Sequence, residues 1–108
     1  MVEINNLTKE KVDEEFLKKV AQMVLRGEGK KMDLSIALIG QKRIKELNKQ
    51  YRGKNKSTDV LSFSYGEIVI CPDKVKKGEL ARGLTHGILH LLGFNHKQMR
   101  IKEDYYGE

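Results

Sequence analysis

Gly83-Leu84-Thr85-His86-Gly87-Ile88-Leu89-His90-Leu91-Leu92-Gly93-Phe94-Asn95-His96 holds all three histidines of the chain. From Gly83 to Phe94 its only polar side chains are Thr85, His86 and His90. A helix apolar nearly all round belongs in the middle of a domain, so this pattern predicts a buried helix, from about Val75 to Leu92, around which the rest must pack. Four residues of helix advance about 400°, which leaves His86 and His90 about 40° apart on one face. Gly93 is predicted to end the helix in a left-handed conformation, cheap for glycine, and the reversal it permits can return His96 to the same face. Burying two imidazoles without partners would cost about 1–3 kcal/mol each. Three neutral imidazoles leave a divalent ion its full charge and an open fourth position, as in a catalytic zinc site. One Zn²⁺-like ion per chain, on His86, His90 and His96, is the expectation.

Upstream, Val2-Glu3-Ile4 reads as a short strand. Thr8 is the predicted cap of a first helix whose Val12, Phe16, Val20, Met23 and Val24 recur at helical spacing up to Gly27. Met32 to Leu38 alternates as a strand does. A second helix, about Gln41 to Tyr51, would bury Ile44, Leu47 and Tyr51. Lys42, Lys45, Lys49 and Arg52 lie on a stripe about 145° from that apolar face. Val60-Leu61-Ser62-Phe63 and Glu67-Ile68-Val69-Ile70-Cys71 read as two further strands, and a charged helix from about Lys97 to Tyr106 closes the chain. The order βαβαββαα predicts a single α+β domain, residues 1–108, with a mixed sheet.

The chain has 108 residues, a net charge of +6 and 33% charged residues. Between Gln41 and Lys56 stand Lys42, Arg43, Lys45, Lys49, Arg52, Lys54 and Lys56 against the single acidic Glu46. The whole net charge therefore resides in this segment, which favours a polyanionic partner. Lys45, Lys49, Lys54 and Lys56 would follow a phosphate backbone without reading sequence. Cys71 is the only cysteine, has no disulfide partner, and is expected as a small buried side chain after a strand. No apolar run reaches the roughly 18 residues of a membrane span, and the N-terminus shows no secretory pattern. A cytoplasmic protein is the expectation.

The spacing His-x₃-His-x₂-Gly-x₂-His is also the metal frame of metzincin proteases. Those need a glutamate directly after the first histidine as general base; here that position is Gly87. Helical glycines cost about 1 kcal/mol each against alanine, so Gly83 and Gly87 call for either close helix packing or room for a bulky substrate.

The stretch His86 to His96 is similar to the H-G-x-L-H-L-x-G-[YF]-D-H signature of the YbeY family, bacterial rRNA maturation factors and metal-dependent endoribonucleases. Leu47-Asn48, Tyr51-Arg52-Gly53-Lys54, Thr58-Asp59-Val60-Leu61-Ser62-Phe63 and Gly66-Glu67-Ile68-Val69-Ile70 extend the resemblance in the same order. It implies a mixed four-stranded sheet backed by helices, with the three histidines as metal ligands and Arg52 as the functional arginine of the cleft. It also implies single-stranded RNA as substrate, near the ends of small-subunit (16S) ribosomal RNA, with a part in ribosome maturation and quality control. Two departures stand out. Asn95 replaces the usual aspartate, which puts a carboxylate role there in doubt, and the link from Ile70 to the histidine helix is short for the family.

Phosphodiester hydrolysis would draw on the ion's charge and on the planar fork of Arg52 for phosphate oxygens. The general base is left open among a metal-activated water, the RNA 2′-hydroxyl and Glu67. The rival readings are a metalloprotease-like hydrolase and a non-catalytic, metal-stabilised RNA-binding or ribosome-assembly module.

Overall fold

Alternation in the strands divides the protein into layers. In the computed structural model, which describes residues 1–76 and 78–107, strands β1 (Val2–Asn6), β2 (Leu34–Leu38), β3 (Val60–Phe63) and β4 (Glu67–Ile70) form one sheet in the order β1-β2-β4-β3. β1, β2 and β4 are parallel, and β3 pairs antiparallel with β4 at the edge. This is the mixed four-stranded sheet with helices that the sequence predicts.

Leu34, Ile36 and Leu38 of β2 and Ile68 and Ile70 of β4 face one side. They pack with Leu17, Val20, Ala21, Val24 and Leu25 of α1 (Glu14–Gly27) and Leu84, Ile88 and Leu89 of α3 (Leu80–Leu91). Leu61 and Val69, one residue out of phase, face the other side with Ile44 and Leu47 of α2 (Gln41–Arg52). Helices α1 and α3 therefore cover one face and α2 the other, as strand periodicity of two requires. Helix α4 (His96–Tyr106) packs on α3. Cys71 is fully buried, as expected, and burial pushes its thiol pKa up.

Several boundaries differ from the predicted ones. The first helix is capped by Asp13, whose carboxylate accepts from the Phe16 amide. Thr8 instead serves a local turn: its amide and hydroxyl donate to Asn6 Oδ1, and its hydroxyl accepts from the Glu10 amide. The burial register set by Leu17, Val20 and Val24 leaves Phe16 and Met23 exposed. The predicted helix from Val75 starts only at Leu80, after a single 3₁₀ turn at Pro72–Lys74 and Gly78 with φ +85°. The part of that prediction at Lys77 lies outside the described residues. Tyr51 is exposed rather than core, whereas the buried polar Asn48, one position beyond Leu47, was not anticipated.

One polar cluster ties α4 to α1. Glu28, just past α1 and with a side chain only 9% exposed, accepts from the Tyr106 hydroxyl at 2.6 Å and from Lys102 Nζ at 2.9 Å. Burial alone would raise the Glu28 pKa, but the Tyr106 and Lys102 hydrogen bonds outweigh it and hold the carboxyl below its ordinary value. Burial and the Glu28 charge push the Tyr106 phenol up. Lys102 Nζ also sits 4.7 Å from the centre of the Phe94 ring.

Candidate active site

The histidine helix approaches the sheet at Gly87. A Cβ there would stand 3.0 Å from Val60 Cγ1, 3.2 Å from Ile68 Cγ2 and 3.3 Å from Ser62 Oγ. The Ser62 hydroxyl donates to the Gly87 carbonyl at 2.7 Å. Close helix–sheet packing thus accounts for this glycine, and position 87 faces the sheet. At Gly83 the nearest atom to such a Cβ is Val60 Cγ2 at 3.8 Å, an ordinary contact.

With Leu84, Ile88 and Leu89 turned inward, His86 is half-buried and His90 exposed one turn on. Gly93 has φ +92°, the left-handed backbone predicted. Its amide donates to the His90 carbonyl, and the Phe94 amide donates to the Leu89 carbonyl. These are the two bonds of a Schellman motif. Asn95 then caps α4: its side chain accepts from the Gln98 amide, while Gln98 Oε1 accepts from the Asn95 amide. Aspartate would serve equally well as that cap, so the departure at Asn95 leaves the corner intact.

His96 opens α4, exposed. Glu103, seven residues or about two turns later, lies on the same face of α4. Its Oε2 is 3.2 Å from His86 Nδ1, and its side chain is only 13% exposed. The pairing resembles the carboxylate–histidine contact that orients metal-ligating imidazoles; in the tautomer whose Nδ1–H donates to Glu103, Nε2 keeps its lone pair for a ligand. Arg82, one turn before His86, places Nε 3.9 Å from Glu103 Oε1 and a terminal nitrogen 3.0 Å from Asp104. A recess of about 330 Å³ beside His86 is lined by Asp59, Lys74, Lys76, Glu79, Arg82 and Glu103, among others.

Three imidazoles, one braced by a carboxylate, suit a zinc-like ion by donor chemistry. Their side chains are not gathered, however: among the described residues no three His, Cys, Asp or Glu side chains stand close enough together to hold a metal.

The structure separates the other predicted residues from this corner. Arg52 ends α2, and Lys45 and Lys49 lie along it, all exposed, in the layer across the sheet from α3. Arg52 makes no side-chain hydrogen bond or ion pair among the described residues. Lys54 and Lys56 follow in the exposed loop, which buried Asn48 anchors: its Nδ2 donates to the Lys56 carbonyl at 2.9 Å. Its Oδ1 has no partner among the described residues. Glu67 shares the α2 face with Val69 and accepts from the Tyr65 hydroxyl at 3.0 Å, so it does not face the histidines.

Sequence reasoning missed Arg82, Glu103, Lys74 and Lys76. Arg82 carried a signal, since Arg82, His86 and His90 recur every four residues on one helical stripe. Glu103 could be found only by knowing that α4 packs back on α3.

Two helices meeting at a histidine-bearing corner, on one face of a mixed sheet with a basic helix on the other, define the class to which the comparisons point. Residues 3–105 match the family model described as Endoribonuclease YbeY, and the chain belongs to that family. It is 38% identical over 90 residues to Endoribonuclease YbeY of Bdellovibrio bacteriovorus, covering 68% of this chain and 60% of that one. With the Thermodesulfovibrio yellowstonii protein of the same name it shares 44% identity over 85 residues, 59% of this chain and 54% of that one. The chain thus spans less than two thirds of the length of these two relatives. The solution structure of TM1509 from Thermotoga maritima superposes with a TM-score of 0.69 at 32% identity, over 98% of this chain and 86% of that one. Among the described residues no helix is long and apolar enough to cross a membrane.

Proposed function

We propose that this chain is a metal-dependent endoribonuclease acting on single-stranded RNA, with small-subunit ribosomal RNA as its natural target and ribosome maturation and quality control as its setting in the cytoplasm. The observation that carries the reading is the family match over residues 3–105, which takes in the whole histidine corner. The name borne by the relatives supplies the activity.

His86, His90 and His96 would hold one divalent, zinc-like ion. Bound there, the ion would supply Lewis-acid polarisation of a phosphoryl oxygen. Glu103 fixes the ring orientation of His86 through Nδ1. Lys74, Lys76 and Arg82 line the recess beside His86 against Asp59, Glu79 and Glu103, so its charges balance, and Arg82 is further engaged by Glu103 and Asp104. Arg52, with no carboxylate partner among the described residues, keeps its fork open for phosphate oxygens. Lys45, Lys49, Lys54 and Lys56 hold the strand by charge. A protease reading fares worse, because position 87 faces Val60, Ile68 and Ser62 rather than the recess.

The test is single-turnover cleavage of a short single-stranded RNA, with metal content measured on the same preparations. His96→Ala should lose both metal and cleavage. Arg52→Ala should keep its metal and lose at least about tenfold in cleavage at subsaturating RNA, equivalent to about 1.4 kcal/mol, because its charge helps to hold the strand. Full metal occupancy in His96→Ala would remove the site as drawn. A metal-loaded wild type that cleaves no RNA would favour a ribosome-assembly module instead.

A further inference from the structure

Three aromatic rings form a row on the α2 side of the sheet. Tyr51, in the last turn of α2, meets Phe63 at the end of β3 edge-on, with centroids 5.2 Å apart and planes at 77°. Phe63 in turn stacks on Tyr65, in the turn to β4, at 5.6 Å and 25°. The two outer rings are 58% and 74% exposed. Aromatic side chains ordinarily bury most of their area, so this row leaves a stacking surface open to water.

Its surroundings are strongly polarised. Arg52 adjoins Tyr51 at the end of α2, and Lys54 and Lys56 follow in the loop held by Asn48, whereas Lys49 lies about 160° round the helix from Tyr51. At the far end, the Tyr65 hydroxyl donates to Glu67. Phosphate is therefore favoured at the Tyr51 end and disfavoured beyond Tyr65, while the rings between offer flat, uncharged faces. A nucleotide has that same division into an uncharged ring and an anionic group.

We propose that Tyr51, Phe63 and Tyr65, with Arg52, Lys54 and Lys56, form a base-stacking platform for single-stranded RNA. Bases lie against the exposed rings, and the phosphates run towards α2. The proposal rests on the RNA reading above and names a surface that holds the strand at a distance from the histidines. Along edge strand β3, Leu61 and Phe63 face the platform side, whereas Val60 and Ser62 lie under α3. A strand seated on the platform crosses the exposed edge of β3 to reach the histidine corner. Because every base has a π face, such a surface tolerates any sequence.

The experiment measures binding of a labelled oligouridylate of about ten nucleotides in the presence of chelator, so that affinity is read without cleavage. Tyr65→Ser should weaken binding about fivefold or more, with the salt dependence unchanged because no phosphate contact is lost. Tyr65→Phe should restore it, since the ring and not the hydroxyl carries the contact. Inorganic polyphosphate, which has charge but no bases, should bind wild type and Tyr65→Ser equally. Wild-type RNA affinity in Tyr65→Ser, an equal loss towards polyphosphate, or failure of Tyr65→Phe to restore binding would each overturn the platform. Intact stacking behaviour in a protein that cleaves no RNA would overturn the nuclease reading and leave the platform standing.

Discussion

Gly83 and Gly87 lie one turn apart on the same helix, yet alanine should act on them with opposite signs. In an unobstructed helix, Gly→Ala is worth about 1 kcal/mol of stability. At Gly83 the new methyl would meet only Val60 Cγ2, at 3.8 Å, so Gly83→Ala should stabilise by up to about 1 kcal/mol. At Gly87 it would meet Val60 Cγ1 at 3.0 Å and Ile68 Cγ2 at 3.2 Å, both inside the roughly 3.5–4.0 Å optimum for carbon contacts, with Ser62 Oγ at 3.3 Å. Val60 and Ile68 are β-branched and stiff at χ1, and Ser62 is held by its bond to the Gly87 carbonyl, so none yields freely. Overpacking of this kind costs about 1–3 kcal/mol. Net of the helical gain, Gly87→Ala should lose up to about 2 kcal/mol, a fall of roughly 4–8 °C in Tm per kcal/mol for a domain near this size. Urea denaturation of both variants beside wild type reads the two signs directly. A Gly87→Ala protein as stable as Gly83→Ala would refute the close approach of α3 to β3 and reopen substrate room as the reason for the glycine.

Two further outcomes follow from the α3–α4 corner and the α1–α4 cluster. Gly93→Val should destabilise by about 1–2 kcal/mol through backbone strain alone, since among the described residues no atom beyond its two chain neighbours lies within 4 Å of a Cβ there; unchanged urea stability would contradict the left-handed turn. Tyr106→Phe should cost about 1.5–3 kcal/mol near neutral pH, because its hydroxyl donates to a buried carboxylate. The Glu28 carboxyl titrates below its ordinary 4.5 when folded, so its contribution is complete above that value and fades as pH falls through the folded one. The gap between Tyr106→Phe and wild type should therefore narrow in acid, and a gap that stays constant as the carboxyl is protonated would detach the effect from Glu28.

Periodicity made the layers legible. Leu34, Ile36 and Leu38 alternate too regularly to be anything but a half-buried strand, and the apolar run from Gly83 could only be a core helix. Gly93 was readable because an ended helix needs a left-handed residue. Boundaries were harder: Thr8 and Asp13 are both acceptable caps, and only the inward register of Leu17 and Val24 decides between them. The site was legible where it is local in sequence, as with His86 and His90. It was not where it depends on docking between elements, as with Glu103 against His86. Arg52 and the lysines could be read as basic, but not as lying across the sheet from the histidines, because that follows from which strand faces α2 covers.

Helix α4 carries both His96 and Glu103 yet fully buries only Met99, and much of its attachment passes through the Glu28 cluster. Segments with few buried contacts open at lower free energy than the global unfolding reaction, so α4 should exchange its amide hydrogens well before α3. A ligand that needs His96 in place binds only the closed form and raises its opening free energy with concentration. Exchange in the last helix, measured amide by amide, would then report occupancy of the histidine corner with no need for any turnover, while the amides of β2 and β4 keep the same rates throughout.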